Sequence, residues 1–521
     1  MVVGMGLVGA LGTASAGVPQ QDLNATGTVA SPQYQTYTAS STGSSPAHVT
    51  LTLTQSSALG FKIKSVFSDS TIGAAVASNT ATTDHIYSTA NQSNIAWSNT
   101  DGDTDSGSFG YLIAGSYLVT DTVTDSNGAT ATAAVEVSTL GSTYAAVTPT
   151  RILDTRNGTG AAKGTVGANS IVKLRVEGAG PIPSSGVTAV VLNLTAVTVS
   201  GGGYVTAYPS DDGTSVPGSS SLNYVAGQTV ANLVTVPVGS DGYVYLADKG
   251  GTVNLIADVS GYYSRSAPDL YEPARPERVL DTRDGTGAAK GAISSGGTAK
   301  VLVALGDTTL APAGEMTAVA VNITVVNATS GGYVTAYADG ASRPGTSSVN
   351  FGKGQIVGNN AVVPVSADGR IDLTAEMAGT ASVNLVVDVV GYYSASPSYA
   401  TTAFVPIAPS RVFDSRKDGE GQIANGIEYD LNLGGWAPPT AAVQMNMTVT
   451  NTKSGGYLTL YTYGAPMPGT SNINWTAGQT VAKGASVPPN DANGWIAIYN
   501  ASGGSTDLIL DVSGYFETSQ V

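Results

Sequence analysis

Apolar and polar residues alternate over short runs along most of the chain. Val190, Leu192, Leu194 and Ala196 fall on one face of an extended segment, with Val191, Asn193 and Thr195 on the other. Val253, Leu255, Ala257 and Val259 alternate in the same way with Asn254, Ile256 and Asp258. Turn signals such as Ser200-Gly-Gly-Gly203, Ser240-Asp-Gly242 and Lys249-Gly-Gly251 separate the runs. No stretch carries a helical apolar stripe of useful length. The pattern predicts an all-β chain.

The runs belong to a unit that occurs three times. Arg151-Ile-Leu-Asp154-Thr-Arg156 returns as Arg278-Val-Leu-Asp281-Thr-Arg283 and as Arg411-Val-Phe-Asp414-Ser-Arg416. A closing motif follows each: Asp258-Val-Ser-Gly-Tyr-Tyr263, Asp388-Val-Val-Gly-Tyr-Tyr393 and Asp511-Val-Ser-Gly-Tyr-Phe516. Between them lie Gly203-Tyr204 to Tyr208, Gly332-Tyr333 to Tyr337 and Gly456-Tyr457 to Tyr461. Then come Asn223-Tyr224 to Gln228, Asn350-Phe351 to Gln355 and Asn474-Trp475 to Gln479. The units occupy 147–263, 274–393 and 407–516, each with about seven or eight short strands, which suits a β-sandwich or jelly roll. Ser264 to Pro276 and Ser394 to Pro409, rich in Pro, Ser and Ala, read as semi-stiff linkers.

A length of 521 residues is too great for one core. Only 11% of residues are charged while 42% are apolar, so the chain is folded, with neutral, hydroxyl-rich surfaces. A formal net charge of -15 without basic runs disfavours nucleic acid and anionic membranes as partners. The absence of cysteine removes disulfides, thiolate metal sites and cysteine nucleophiles. Residues 1–16 look like the end of a signal peptide, an apolar run ending in Ala14-Ser15-Ala16, which places the protein outside the cell or on its surface. Residues 17–46 form an N-terminal extension, and no other window is apolar enough for membrane insertion.

Residues 47–139 do not match the repeats. Trp97-Ser-Asn-Thr-Asp101-Gly102 and Ala114-Gly-Ser-Tyr117 through Asp125-Ser-Asn-Gly128 resemble the PKD domain, departing from its pattern at Ser98, Asn99 and Thr100. The resemblance implies an immunoglobulin-like sandwich, a spacer or interaction module of extracellular proteins. The repeats in turn resemble modules of exported proteins of high-GC Gram-positive bacteria.

Chemistry is sparse. His48 and His85 both precede the repeats, which leaves little from which to build a Ser-His-Asp or zinc-histidine site. The recurring Asp154 and Asp258, with Asp281, Asp388, Asp414 and Asp511, admit a glycosidase carboxylate pair, but a residue that holds the fold must recur and a catalytic one need not. Arg151, Arg156, Arg278, Arg283, Arg411 and Arg416 are read as structural ion pairs with these carboxylates, Asp154 and Arg156 sharing a strand face and Arg151 pointing away; an anion or acidic-glycan site is the rival. Ligand candidates are Tyr204, Tyr208, Tyr224 and Asn223, Tyr333, Tyr337, Phe351 and Asn350, and Tyr457, Tyr461, Trp475 and Asn474. Their rings either stack on sugar faces or fill the core. Asp101, Asp103 and Asp105 alternate along a loop and form a weak Ca²⁺ candidate; no other cofactor is expected.

Three functions follow in order. The first is a non-catalytic binding or adhesion protein that engages a polysaccharide or cell-wall glycan multivalently. The second is a structural part of a surface appendage or phage fibre, with the repeats as spacers. The third is a carboxylate-dependent glycoside hydrolase.

Overall fold

The computed structural model of the chain describes residues 20–24, 35–41, 47–55, 60–69, 76–85, 91–93, 98–99, 104–110, 116–139, 141–210, 213–304, 310–417, 419–433, 440–490 and 494–518. Every regular element among them is a strand. The chain is all-β.

The N-terminal part is a two-layer sandwich. Thr36–Ser40, Ala47–Gln55, Gly60–Asp69, Thr104–Gly110 and Ser98–Asn99 form one sheet; Val76–His85, Asn91–Ser93, Ser116–Asp125 and Thr130–Ser138 form the other. Alternate residues meet between them, with Val49, Leu51, Leu53, Phe61 and Ile63 against Tyr117, Val119 and Val123. Ser65 Oγ donates to Asp121 Oδ2 across this core at 2.5 Å.

Each repeat is a sandwich with its own core. Its inner sheet comprises four strands, here called docking, inner, closing and opening. In the second repeat these are Val357–Pro364, Ala318–Val326, Ser382–Ser394 and Leu270–Asp281. In the third they are Val481–Val487, Thr440–Thr450, Asp507–Thr518 and Thr402–Asp414. The first repeat uses Val230–Pro237, Val187–Tyr208, Tyr243–Ser264 and Thr143–Asp154, and its two longest strands run on into the outer sheet. A further strand near the chain start, Gln20–Asn24, adds in parallel to Glu428–Asn432 in the outer sheet of the third repeat, and Leu23 joins that core.

The second half of each segment read as a linker, from Leu270 and from Thr402 onward, is the start of an opening strand, which corrects the sequence reading there. Pro276 and Pro409 fall where ladder pairing lapses, between Pro273 and Glu277 and between Pro406 and Ser410. Proline lacks an N–H and is tolerated where none is needed. Composition registered the proline and could not register the ladder.

Instead of lying along a string, the three sandwiches close into a ring. On the first, Asn193 and Asp258 face each other across the ladder. Asn193 Nδ2 donates to the Ser347 carbonyl of the second at 2.5 Å, and the Ser347 N–H donates to Asp258. Asn446 and Asp511 of the third grip Ser220 of the first in the same manner, with Asn446 Nδ2 2.5 Å from the carbonyl. Asn322 of the second holds the Ser471 carbonyl of the third at 2.6 Å, and Arg278 Nη2 reaches the Gly469 carbonyl at 3.3 Å. At every seam the buried asparagine amide is thus paired with a carbonyl of the neighbouring sandwich, as burial demands.

At the centre lies an aromatic cluster of Tyr144, Tyr263, Tyr271, Tyr393, Phe404 and Phe516. Each opening-strand ring packs on a closing-strand ring of the next sandwich: Tyr144 stacks on Tyr393 at 4.2 Å, while Tyr271 on Phe516 at 4.2 Å and Phe404 on Tyr263 at 4.5 Å are tilted. The Tyr263 and Tyr393 hydroxyls meet at 2.6 Å. Arg265 Nε donates to the Thr139 carbonyl at 2.8 Å and ties the N-terminal sandwich to the ring.

Candidate functional site

The Arg-x-x-Asp-x-Arg motif forms a chain of ion pairs. Arg151 meets Asp258 with two bonds, Nε to Oδ1 at 2.8 Å and Nη2 to Oδ2 at 3.1 Å. Arg156 meets Asp154 the same way, at 2.9 and 2.7 Å. Arg278–Asp388 and Arg283–Asp281, then Arg411–Asp511 and Arg416–Asp414, repeat the arrangement. Arg151 does not point away from Asp154, as simple alternation would have it. A bulge between Arg151 and Leu153 breaks the alternation and brings Arg151 Nη1 to 3.5 Å from Asp154 Oδ2.

These pairs are poor ligand sites. Arg151 uses Nε, Nη1 and Nη2 on two carboxylates, which leaves it little to offer an anion. Hydrogen bonding from Arg156 holds the Asp154 carboxyl below its ordinary range. Burial raises that of Asp258 despite Arg151.

The recurring aromatics divide into three classes. Tyr224, Phe351 and Trp475 are buried in the three cores. Trp475 Nε1 donates to the Ser454 carbonyl at 2.8 Å, and the Tyr224 hydroxyl bonds Asp248. Tyr208, Tyr337 and Tyr461 are buried as well, held by Gly213 O, Thr374 Oγ1 and Glu428 Oε2 respectively. Tyr333 and Tyr457 are open, each 39% exposed, and Tyr204 is half-buried.

The open rings share one local design. Tyr204, Tyr333 and Tyr457 sit on strands whose ladder partners at these positions are Asn223, Asn350 and Asn474. Such pairs project to one face with Cβ atoms about 5 Å apart. The glycine before each tyrosine is required: a Cβ on Gly203 would lie 2.6 Å from the Tyr224 hydroxyl, and one on Gly332 would lie 2.2 Å from the Glu376 carbonyl. Each asparagine also steadies the docking loop, bonding Ser220, Ser347 or Ser471 at 3.0, 3.1 and 3.0 Å. A Gly-Gln turn closes the edge, the Gln228, Gln355 and Gln479 carboxamides accepting backbone N–H groups at 3.1, 2.8 and 3.0 Å. Gly227, Gly354 and Gly478 supply the positive φ it needs.

Two further aromatic groups escaped the sequence reading. Lys173 Nζ lies 4.1 Å from the Tyr243 ring and pairs with Asp241 at 2.9 Å. Tyr463 and Trp495 lie 5.8 Å apart on the third repeat. Neither recurs, so the repeat pattern of the chain does not mark them.

Of the remaining candidates, His48 is exposed on its strand. Asp101 and Asp103 fall outside the described residues, as do the side chains of Asp105 and His85. Among the described residues no three His, Asp or Glu gather as metal ligands. No described helix is long and apolar enough to cross a membrane.

No protein-family model matches the chain, and no curated protein matches it. Among solved structures, Streptomyces avermitilis α-L-rhamnosidase complexed with L-rhamnose is similar over 89% of this chain and 56% of that one, at 8% identity and a TM-score of 0.15. The chain thus spans little more than half that enzyme's length, and a likeness so slight carries no argument about function.

Proposed function

We propose that the protein is an extracellular, non-catalytic binding or adhesion protein that engages a repetitive surface polysaccharide through Tyr204, Tyr333 and Tyr457 with their partner asparagines. One observation carries this reading: the same strand position holds a tyrosine beside an amide in all three sandwiches, 39% exposed in the second and third and half-buried in the first. An open ring of this kind suits the apolar face of a pyranose, and an amide suits its hydroxyls. Three such positions on one closed ring favour a ligand with repeated epitopes, because linked sites raise avidity without stronger single contacts. Engagement of the recurring carboxylates by arginine supports reading them as scaffold rather than as a hydrolytic pair. The closed ring also argues against repeats that serve as spacers along a fibre. We read the N-terminal sandwich, with its resemblance to the PKD family, as a spacer that carries the ring.

Retention on insoluble cell-wall and extracellular polysaccharides tests the proposal. Wild type is expected to be retained, single Tyr→Ala changes at 204, 333 or 457 to weaken retention stepwise, and the triple change to abolish it. Tyr224→Ala and Trp475→Ala would report on folding instead, since those rings are core. No retention of wild type, or full retention of a folded triple variant, would overturn the reading.

A further inference from the structure

Equivalent docking-strand residues meet the inner-strand asparagine at every seam. Asn232 Nδ2 donates to Asn446 Oδ1 and Asn359 Nδ2 to Asn193 Oδ1, both at 2.8 Å. The third copy departs. There Lys483 replaces the asparagine, and its Nζ lies 2.5 Å from Asn322 Oδ1.

Two features, a buried lysine and the room for it, make this seam chemically different, and they act beside an aspartate that every seam has. Lys483 is among the largest fully buried side chains, and burial pushes its amine down to about 7 against the opposing influence of Asp388. Burial thus favours the neutral, nucleophilic form of the amine. Asp388 stands directly across the ladder from Asn322, and its carboxyl is pushed up by burial although Arg278 and Lys483 oppose this. The room for the amine is also particular to this seam. The residue that packs there is Gly358, whose counterparts are Ala231 and Ala482. A Cβ on Gly358 would lie 2.8 Å from Nζ. The one lysine and the one glycine among these equivalent positions therefore occur together.

We propose that Lys483 and Asn322 join in an intramolecular amide bond that links the second and third sandwiches covalently. A carbonyl bond of about 1.23 Å places Asn322 Cγ no more than about 3.7 Å from Nζ, close to near-attack range. The Asn322 amide is aimed by its own Nδ2, which donates to the Ser471 carbonyl at 2.6 Å. Nζ adds to Cγ, and the carbonyl pair moves onto Oδ1. The proton that leaves Nζ ends on Nδ2, and Asp388, whose charge acts on Lys483 from across the ladder, favours the ammonium that forms on the way. The Cγ–Nδ2 bond then breaks, ammonia departs, and the carbonyl re-forms. A primary amide and an amine become a secondary amide and ammonia, with no oxidant, reductant or other reactant required.

Tryptic digestion of the purified full chain under denaturing conditions decides the matter. Trypsin does not cut at an acylated lysine, so residues 454–521 should appear uncut and attached to residues 301–353, one ammonia lighter than the sum of the two. Lys483→Asn restores the residue found at the other two seams and should give the two peptides separately while the fold persists. Gly358→Ala should reduce the linked species by displacing Nζ. Digestion of wild type chiefly to free 454–483 and 484–521 would overturn the proposal. That result would leave the glycan reading untouched, since the exposed tyrosines take no part in the linkage.

Discussion

Asp269 sits where two opening strands meet, its backbone bonded to Tyr144 in both directions at 2.7 and 3.0 Å. Its Oδ1 is buried without a partner, and burial pushes the carboxyl up to about 6, opposed by a bond from Thr317. The folded carboxyl therefore holds its proton more tightly than an unfolded one, which titrates near pH 4. Any stability it contributes is complete below about pH 4 and is lost as the pH rises through about 6. Asp269→Asn should accordingly stabilise the protein at about pH 7.5, by on the order of 1–3 kcal/mol, and change it little at about pH 4. Thermal melts at both values check this, and equal shifts would refute it. At this scale the sequence was informative wherever a residue recurred. The arginine and aspartate positions stood out because each copy needs them, whereas the bulge at Arg151–Leu153 left no compositional trace. Lys483 drew no notice for the opposite reason: it is a departure from a repeat, and only the docked strands reveal that it meets Asn322.

Among the strands, the closing motif shows how a short pattern encodes a distant contact. Its glycine lies beneath the opening-strand ring: a Cβ on Gly261 would come 2.0 Å from the Tyr144 hydroxyl, one on Gly391 2.2 Å from that of Tyr271, and one on Gly514 2.2 Å from Phe404 Cζ. Close-packed interiors do not absorb such overlap. Gly261→Ala should cost about 3 kcal/mol or more, while Gly218→Ala, where nothing lies within 4 Å, should stay within about 0.5 kcal/mol. Urea unfolding of the two variants against wild type measures the difference, and comparable losses would contradict the packing argument. Alternation along the strands was readable from the chain because it is local. The use of proline-rich stretches as opening strands was not, since their pairing depends on partners about a hundred residues away.

The whole ring is held by contacts that pass from each sandwich to the next and back to the first. Stacked rings contribute roughly 0.5–1.5 kcal/mol per pair beyond their buried area, and the asparagine clamps add buried hydrogen bonds. Loss of one sandwich would expose apolar surface and buried polar groups on both others. Calorimetry of the full chain should therefore show residues 141–518 melting in one transition with equal calorimetric and van't Hoff enthalpies, apart from any transition of the N-terminal sandwich. Three resolved transitions for the repeats would mean that the sandwiches are thermodynamically independent. Sequence similarity established the number of copies but not their closure, because the seams depend on single side chains meeting across a gap.

Carrying the copies on one polypeptide has an evolutionary consequence. A homotrimer of one such unit would assemble only above some concentration, and any mutation would strike all its interfaces at once. Tandem fusion removes both constraints, so symmetry can be broken one interface at a time. The pairing of Lys483 with Gly358 is an asymmetry of that sort, open to a fused chain and closed to three identical subunits.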